Sequence, residues 1–283
     1  MSRTVPLAAF AALTLLLQAA VPPSAHQAAV QEPWRVLEAG LDLGDFRAPV
    51  ASDVGNSRIT VLRIDPSKFG LVLANASAMP DRRPRTAREW ATGKGLLAAI
   101  NASMYRADHL TSVGLMKSGD RVNNPSLTRD NAVLAFDRVM DSVPPVQIID
   151  RGCEDLEAIG PRYRTLVQSI RMIDCHGRNV WSQQPKKWST AAIGLDESGR
   201  ALFLFTRSPY STHDFIDMLL RLPIDLVRAM YVEGGPEAQL FVKAGGIEVE
   251  MFGSFETGFF ESDANDRSWP VPNVVGVTRL GGR

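Results

Sequence analysis

From Trp34 to Ala76 apolar and polar positions alternate along the chain. "WRVLEAGLDLGDF" and "RITVLRIDP" carry the alternation, and "FGLVLANA" follows a Pro-Ser turn. A period of two puts every second side chain on a buried face, so this stretch predicts strands. "TAREWATGKG", Thr86 to Gly95, reads differently. A threonine, a glutamate three residues on and a closing glycine predict a short helix with a capping box. "LLAAINASMY" returns to an apolar strand that breaks at Asn101. "SVGLMKSGDRVNN" predicts a hairpin turning at Ser118–Asp120, and "NAVLAFD" another strand.

In the middle of the chain, "CEDLEAIGPRYRTLVQSIRMIDCHGR" spaces Leu156, Ile159, Leu166, Ile170 and Ile173 mostly at helical intervals. This predicts two helical pieces, or a helix and a turn, split at Gly160-Pro161. "STAAIGLDESGRALFLFTRS" reads as two strands joined by an Asp-Glu-Ser-Gly turn. "THDFIDMLLRLP" predicts an amphipathic helix capped by Thr212, with Phe215, Ile216, Leu219 and Leu220 on its apolar face. "IDLVRAMYVEGG" is a further strand. There is no internal repeat and no long linker. The expected architecture is α/β (mixed α+β): one domain with a mixed, largely antiparallel sheet and flanking helices.

The N-terminus changes the expected domain boundaries. "MSRTVPLAAFAALTLLLQAAVPPSAHQAAV" runs from one arginine through an apolar stretch to small residues and prolines, the order of a signal peptide. Residues 1–28 are read as the leader, its cleavage position unassigned, and 29–283 as the domain. The apolar stretch is shorter than the ~20 residues of a bilayer span, and no later segment is apolar enough for one. An exported protein, periplasmic or secreted, is expected, with no stable membrane span once the leader is removed.

Lysine plus arginine and aspartate plus glutamate both number 31, a formal net charge of zero. No global basic field is present to hold a polyanion, which argues against nucleic acid as the partner. The only cysteines, Cys153 and Cys175, are 22 positions apart. In an exported chain they most simply form one disulfide, worth about 3 kcal/mol in the chain-entropy model. The competing reading, a reactive thiol or metal pair with His176, has no CxxC and no second ligand cluster behind it.

HExxH, G-x-S-x-G, a GxGxxG after a strand and a Walker loop are all absent. The four histidines share no metal-binding spacing, so no metal site is assigned. What recurs is polar or glycine residues where apolar strands end: "AAINASMY" with Asn101 and Ser103, "VNNPS" with Asn123 and Asn124, "STAAIG", "FTRSPY" with Arg207, and "YVEGGPEAQ" with Glu233, Gly234, Gly235 and Glu237. Loops at strand ends can converge on one crevice; singly, each is also an ordinary turn. Arg171, between Ile170 and Met172, has the fork that suits an anion such as phosphate, or an internal salt bridge.

The order "INASMY", "SVGLMKSGDRVNN", "NAVLAF", "QSIRMID", "WSTAAIGLDESGRALFLFTR" and "AMYVEGGPEAQLFV" resembles the phosphodiester glycosidase family from about Ile59 to Val277. That family includes a lysosomal hydrolase that removes N-acetylglucosamine from a sugar phosphodiester, and many exported bacterial proteins. Where many members have Asp-Gly-Gly-Gly-Ser, this chain has Glu233-Gly234-Gly235-Pro236-Glu237. Where Asn-Ala-Gly-Met-Phe is commoner, it has Asn101-Ala102-Ser103-Met104-Tyr105.

The resemblance implies hydrolysis of a sugar-1-phosphodiester or phosphorylated envelope glycan at the anomeric carbon. Glu233 is the expected nucleophile or general base, and Arg171 and Arg207 are expected to hold the phosphate. Asn101, Asn123 and Asn124 are expected to bind hydroxyls or orient the carboxylate. Ser103 lies beside them, Gly234 and Gly235 give the substrate room, and Glu237 is a second carboxylate. No cofactor is required by this reading; a bound calcium, the sugar, the stereochemistry and the oligomeric state stay open. The alternative is a non-catalytic envelope protein that binds a phosphorylated polysaccharide and needs the arginines and asparagines but not Glu233.

Overall fold

The N-terminal alternation becomes four antiparallel strands in the computed structural model, which describes Met1 and residues 33–281. They are β1 (Trp34–Glu38), β2 (Leu41–Arg47), β3 (Arg58–Ile64) and β4 (Phe69–Asn75). The expected leader, beyond Met1, lies outside the described residues. Helix α1 (Ala87–Lys94) has the expected capping box: Thr86 accepts from the Glu89 amide, and Glu89 accepts from the Thr86 amide. Gly95 closes it in the left-handed region.

After α1 come β5 (Ala98–Asn101), β6 (Met116–Ser118), β7 (Arg121–Asn124), β8 (Ala132–Arg138) and β9 (Val146–Asp150). Beyond the short helix α2 (Leu156–Ile159) lies β10 (Tyr163–Ile173), then β11 (Trp188–Asp196), β12 (Ala201–Tyr210) and α3 (Thr212–Leu219). The chain closes with β13 (Leu226–Gly234), β14 (Gln239–Ala244), β15 (Ile247–Phe252) and β16 (Asn273–Arg279).

These strands form two sheets instead of one. The larger runs β1-β2-β3-β12-β11-β13-β10-β6-β7, with β8 joining β10 to β9; the smaller runs β15-β14-β5-β16-β4. Every pairing among the described strands is antiparallel, for example β11 with β13 and β5 with β16, so the mixed element of the expected sheet is not found. The domain is sheet-dominated.

Its main core lies between the sheets, where Ile100, Leu240 and Val275 of the smaller meet Leu62, Phe203, Ile193 and Met230 of the larger. Helix α3 buries Phe215, Ile216 and Leu219 on the far face of the large sheet, against Val61, Leu204 and Tyr231. Helix α1 buries Trp90 on the far face of the small sheet. The result is four layers, helix–sheet–sheet–helix, in which the central strands are covered on both faces. That explains why β8 and β12 read as continuous apolar runs.

Two local readings are corrected. The segment from Tyr163 to Ile173 is an eleven-residue strand, not a helix. Only Leu156–Ile159 is α-helical, and a single 3₁₀ turn follows it at Gly160–Arg162. The helical spacing of Leu166, Ile170 and Ile173 reflects burial on both faces, because β10 pairs with β13, β6 and β8. The cap of α3 is Ser211, which accepts from the Asp214 amide; Thr212 is the first helical residue. Cys153 and Cys175 form the expected disulfide. Among the described residues no helix is long and apolar enough to cross a membrane.

Candidate active site

Strand β13 carries Glu233 to the end of the large sheet, and a bulge sets it there. Ala192 pairs with Tyr231 while its neighbour Ala191 pairs with Glu233, leaving Val232 as the extra residue. A bulge bends and twists its strand and re-aims the side chain that follows. Glu233 is only 8% exposed. Its Oε1 accepts from the Gly234 amide at 3.1 Å, and among the described residues no cation pairs with it. Burial first, then the charge of Glu237, push its carboxyl up to about 8; the Gly234 amide pulls the other way, and Glu256 adds a smaller push.

The glycines after it make room for protein rather than for open space. A Cβ on Gly234 would overlap the Tyr231 hydroxyl and lie 2.8 Å from Trp188 Cδ1. Gly235 sits at φ +61°, and a Cβ there would overlap Glu256 Oε2. Glu256 therefore packs directly against the Gly235 backbone. Tyr231 lies 5.7 Å from the Trp181 ring and 6.4 Å from the Trp188 ring, forming an aromatic wall behind the carboxylates. Burial and the three glutamates hold its phenol well above the ordinary value.

Glu237 follows in a 3₁₀ turn, Gly235–Glu237. Buried Asn101 fixes this turn: its Nδ2 donates to the Glu237 carbonyl at 3.0 Å, and its Oδ1 accepts from the Gln239 amide at 2.7 Å. Beside Glu237 lies the buried Tyr105 hydroxyl. Burial, then the Glu237 carboxylate, pushes that phenol far up. Tyr105 and Glu237 are two of the positions at which this chain departs from the pattern it resembles, and they meet in space.

The remaining expected residues divide between this pocket and its surroundings. Ser103 donates to the Gln168 carbonyl and ties the β5 end to β10. Asn123 and Asn124 staple the Leu110–Ser126 loop. Asn123 bonds the Ser112 amide, Ser77 and the Leu110 carbonyl; Asn124 bonds the Ser112 and Val113 carbonyls and the Ser126 amide.

Arg171 Nη1 donates to both oxygens of Asp150, at 2.6 and 2.9 Å, beside the disulfide. That is the salt-bridge reading, with Asp150 as the partner. Arg207 donates from Nε to Asp263, from Nη1 to the Phe252 carbonyl, and from Nη2 to the Asp263 and Asn265 carbonyls. Its fork is filled by the loop after β15, so it is not open to an anion.

Three participants escaped the sequence reading: Glu256, Tyr105 and Tyr231. Glu256 lies in a loop with no motif, and burial and then Glu237 push its carboxyl up, while exposed Lys186 pulls it down. Tyr105 and Tyr231 stood inside the quoted motifs, but nothing local marked their hydroxyls as part of a site. The three glutamates do not converge to metal-ligand spacing. Among the described residues, the group that does is Cys153, Cys175 and His176, and its sulfurs are joined to each other.

This sheet-dominated domain thus gathers three carboxyl groups and two phenols at one strand end. The family model for phosphodiester glycosidases matches residues 94–278, and the chain belongs to that family. Among solved structures, the zebrafish N-acetylglucosamine-1-phosphodiester alpha-N-acetylglucosaminidase catalytic domain, auto-inhibited by its pro-peptide, is similar in fold. It has TM-score 0.60 and 11% identity over 84% of this chain and 83% of that one. A hypothetical protein from Synechocystis is similar at TM-score 0.56 and 14% identity, over 84% of this chain and 62% of that one. No curated protein matches the sequence.

Proposed function

We propose that this protein hydrolyses the glycosidic C–O bond of a sugar-1-phosphodiester, with ionised Glu233 as the base that activates water. The observation that carries the reading is a buried carboxylate, held by a bulge at a strand end, with two further carboxylates beside it. A base is most effective when its pKa lies near the working pH, and burial lifts Glu233 from the ordinary carboxylate range to about 8. The phosphodiester departs as a weakly basic anion and needs little protonation, so no dedicated acid is required.

In the step, water's oxygen bonds to the anomeric carbon and its proton passes to Glu233. The C–O electron pair leaves with the phosphate monoester. The carboxyl groups of Glu237 and Glu256 near Glu233 are placed to favour the oxocarbenium-like centre. One cation lies near the carboxylates for the phosphate, exposed Lys186 by Glu256, while Arg171 is engaged with Asp150. Asn101 orients the Glu237 turn. Export to an oxidising compartment belongs to this proposal, supported by the disulfide and the leader-like N-terminus.

The test is a screen of sugar-1-phosphodiesters with purified protein in ¹⁸O-labelled water. Label on the released sugar is expected. Label on phosphate means P–O cleavage and overturns the proposal. Binding of a phosphorylated glycan with no turnover of any substrate favours the non-catalytic binder.

A further inference from the structure

Glu256 stands on irregular chain between β15 and β16, yet its carboxylate is packed against the Gly235 backbone, two residues beyond Glu233. Such a position needs fastening, and the fastening is dense. From β12, Arg207 reaches across to the Phe252 carbonyl at 2.9 Å, Asp263 Oδ1 at 2.6 Å, and the Asp263 and Asn265 carbonyls at 3.0 and 2.8 Å. It thereby joins the two ends of the 252–265 loop.

The other bonds serve the same loop. Ser189 Oγ donates to the Arg207 carbonyl and accepts from the Ser254 amide, at 2.5 and 2.9 Å. Asn265 Nδ2 donates to the Gly253 carbonyl at 2.7 Å. Backbone bridging sets Glu256 opposite Trp188 on one side and Phe260 on the other. Glu256 is only partly buried, so it is the more open of the two carboxyl groups to solvent.

We propose that Glu256 is a substrate-contacting carboxylate of the pocket, accepting hydrogen bonds from sugar hydroxyls, and that Arg207 is the positioning residue that holds it there. The proposal rests on the sugar-phosphodiester reading for its ligand, but not for its geometry. Gly235 is then required because Glu256 occupies its Cβ space. The groups facing Glu233 are Glu237, Glu256 and the Tyr231 phenol, with Tyr105 beside Glu237 and Lys186 facing Glu256.

The experiment has one arm that needs no substrate. The Glu233 titration is read as the pH dependence of the stability difference between a background and its Glu233→Gln counterpart. Glu256→Gln is expected to lower the midpoint, from the loss of a nearby charge. Arg207→Gln is expected to lower it in the same direction, and the double variant no further than Glu256→Gln alone. If Arg207→Gln does not fold, Asp263→Ala, which removes one of the four bonds, is expected to give a smaller shift of the same sign.

An unmoved midpoint in Glu256→Gln overturns the placement of Glu256. Shifts of Arg207→Gln and Glu256→Gln that add, or no shift in either clamp variant, overturn the positioning role. In the second arm Glu256→Gln raises KM for a sugar-1-phosphodiester about tenfold with a smaller change in kcat; an unchanged KM overturns substrate contact. Midpoint shifts without turnover in the parent leave the clamp standing and defeat the proposed function. Turnover without shifts does the reverse.

Discussion

Gly235 and Glu256 share one space: the Cβ that any other residue would place at 235 falls on the Glu256 carboxylate. Gly235 also lies at φ +61°, where an L side chain is strained. Gly235→Ala is therefore expected to cost about 1–2 kcal/mol from the backbone alone, and to push Glu256 out of the pocket. On a domain of this size that lowers Tm by roughly 2–8 °C. Thermal melts and kcat/KM check it; the activity loss should exceed what the stability loss explains.

The second relationship is electrostatic. Working as a base, Glu233 must be ionised, and with its carboxyl held at about 8 most of it is protonated at neutral pH. The profile of kcat/KM against pH is expected to climb about tenfold per unit below that value and level off above it. A profile that falls above pH 8 assigns Glu233 the opposite role, proton donor.

The same shift makes Glu233 a cost to stability. In the unfolded chain its carboxyl ionises near 4.5, and in the folded protein near 8. Between those values the folded state binds more protons, so this group's contribution is full below about 4.5 and is lost as pH rises through about 8. Glu233→Gln is expected to match the parent near pH 5 and to be the more stable protein at pH 9, by an amount on the order of a few kcal/mol. Melts at the two pH values read it directly.

Asp150, with a side chain 1% exposed, depends on Arg171 for its charge compensation. It also accepts from the Gly152 and Cys175 amides, so the pair locks the loop that carries the disulfide. Arg171→Ala leaves a buried carboxylate without its cation and is expected to cost about 3–5 kcal/mol; replacing both partners with apolar residues should recover most of that. Denaturant melts of single and double variants check it. Arg171→Lys keeps the charge but loses the fork, and a rise in KM in that variant separates a phosphate contact from a purely structural role.

Much of the fold was legible where local rules suffice. Thr86, Glu89 and Gly95 announced α1 because capping depends on neighbours in sequence. Tyr163–Ile173 was misread because its apolar spacing came from burial on two faces, which only the neighbouring strands define. The site followed the same division. Glu233 was visible as a carboxylate where an apolar strand ends in glycine. Glu256 was not, because it reaches Gly235 from a loop placed by Arg207, a contact across 21 residues held from a strand 49 residues away. The arginines looked like anion ligands from their apolar flanks; their partners, Asp150 and Asp263, are distant in sequence.

The proposed hydrolysis depends on Glu233. Its most direct test is the turnover of Glu233→Gln on a sugar-1-phosphodiester that the parent hydrolyses, measured at pH 8 with the fold verified by thermal melting. The account predicts a loss in kcat of about 10²–10⁴-fold in a protein at least as stable as the parent. Parent-like turnover in that variant would contradict it.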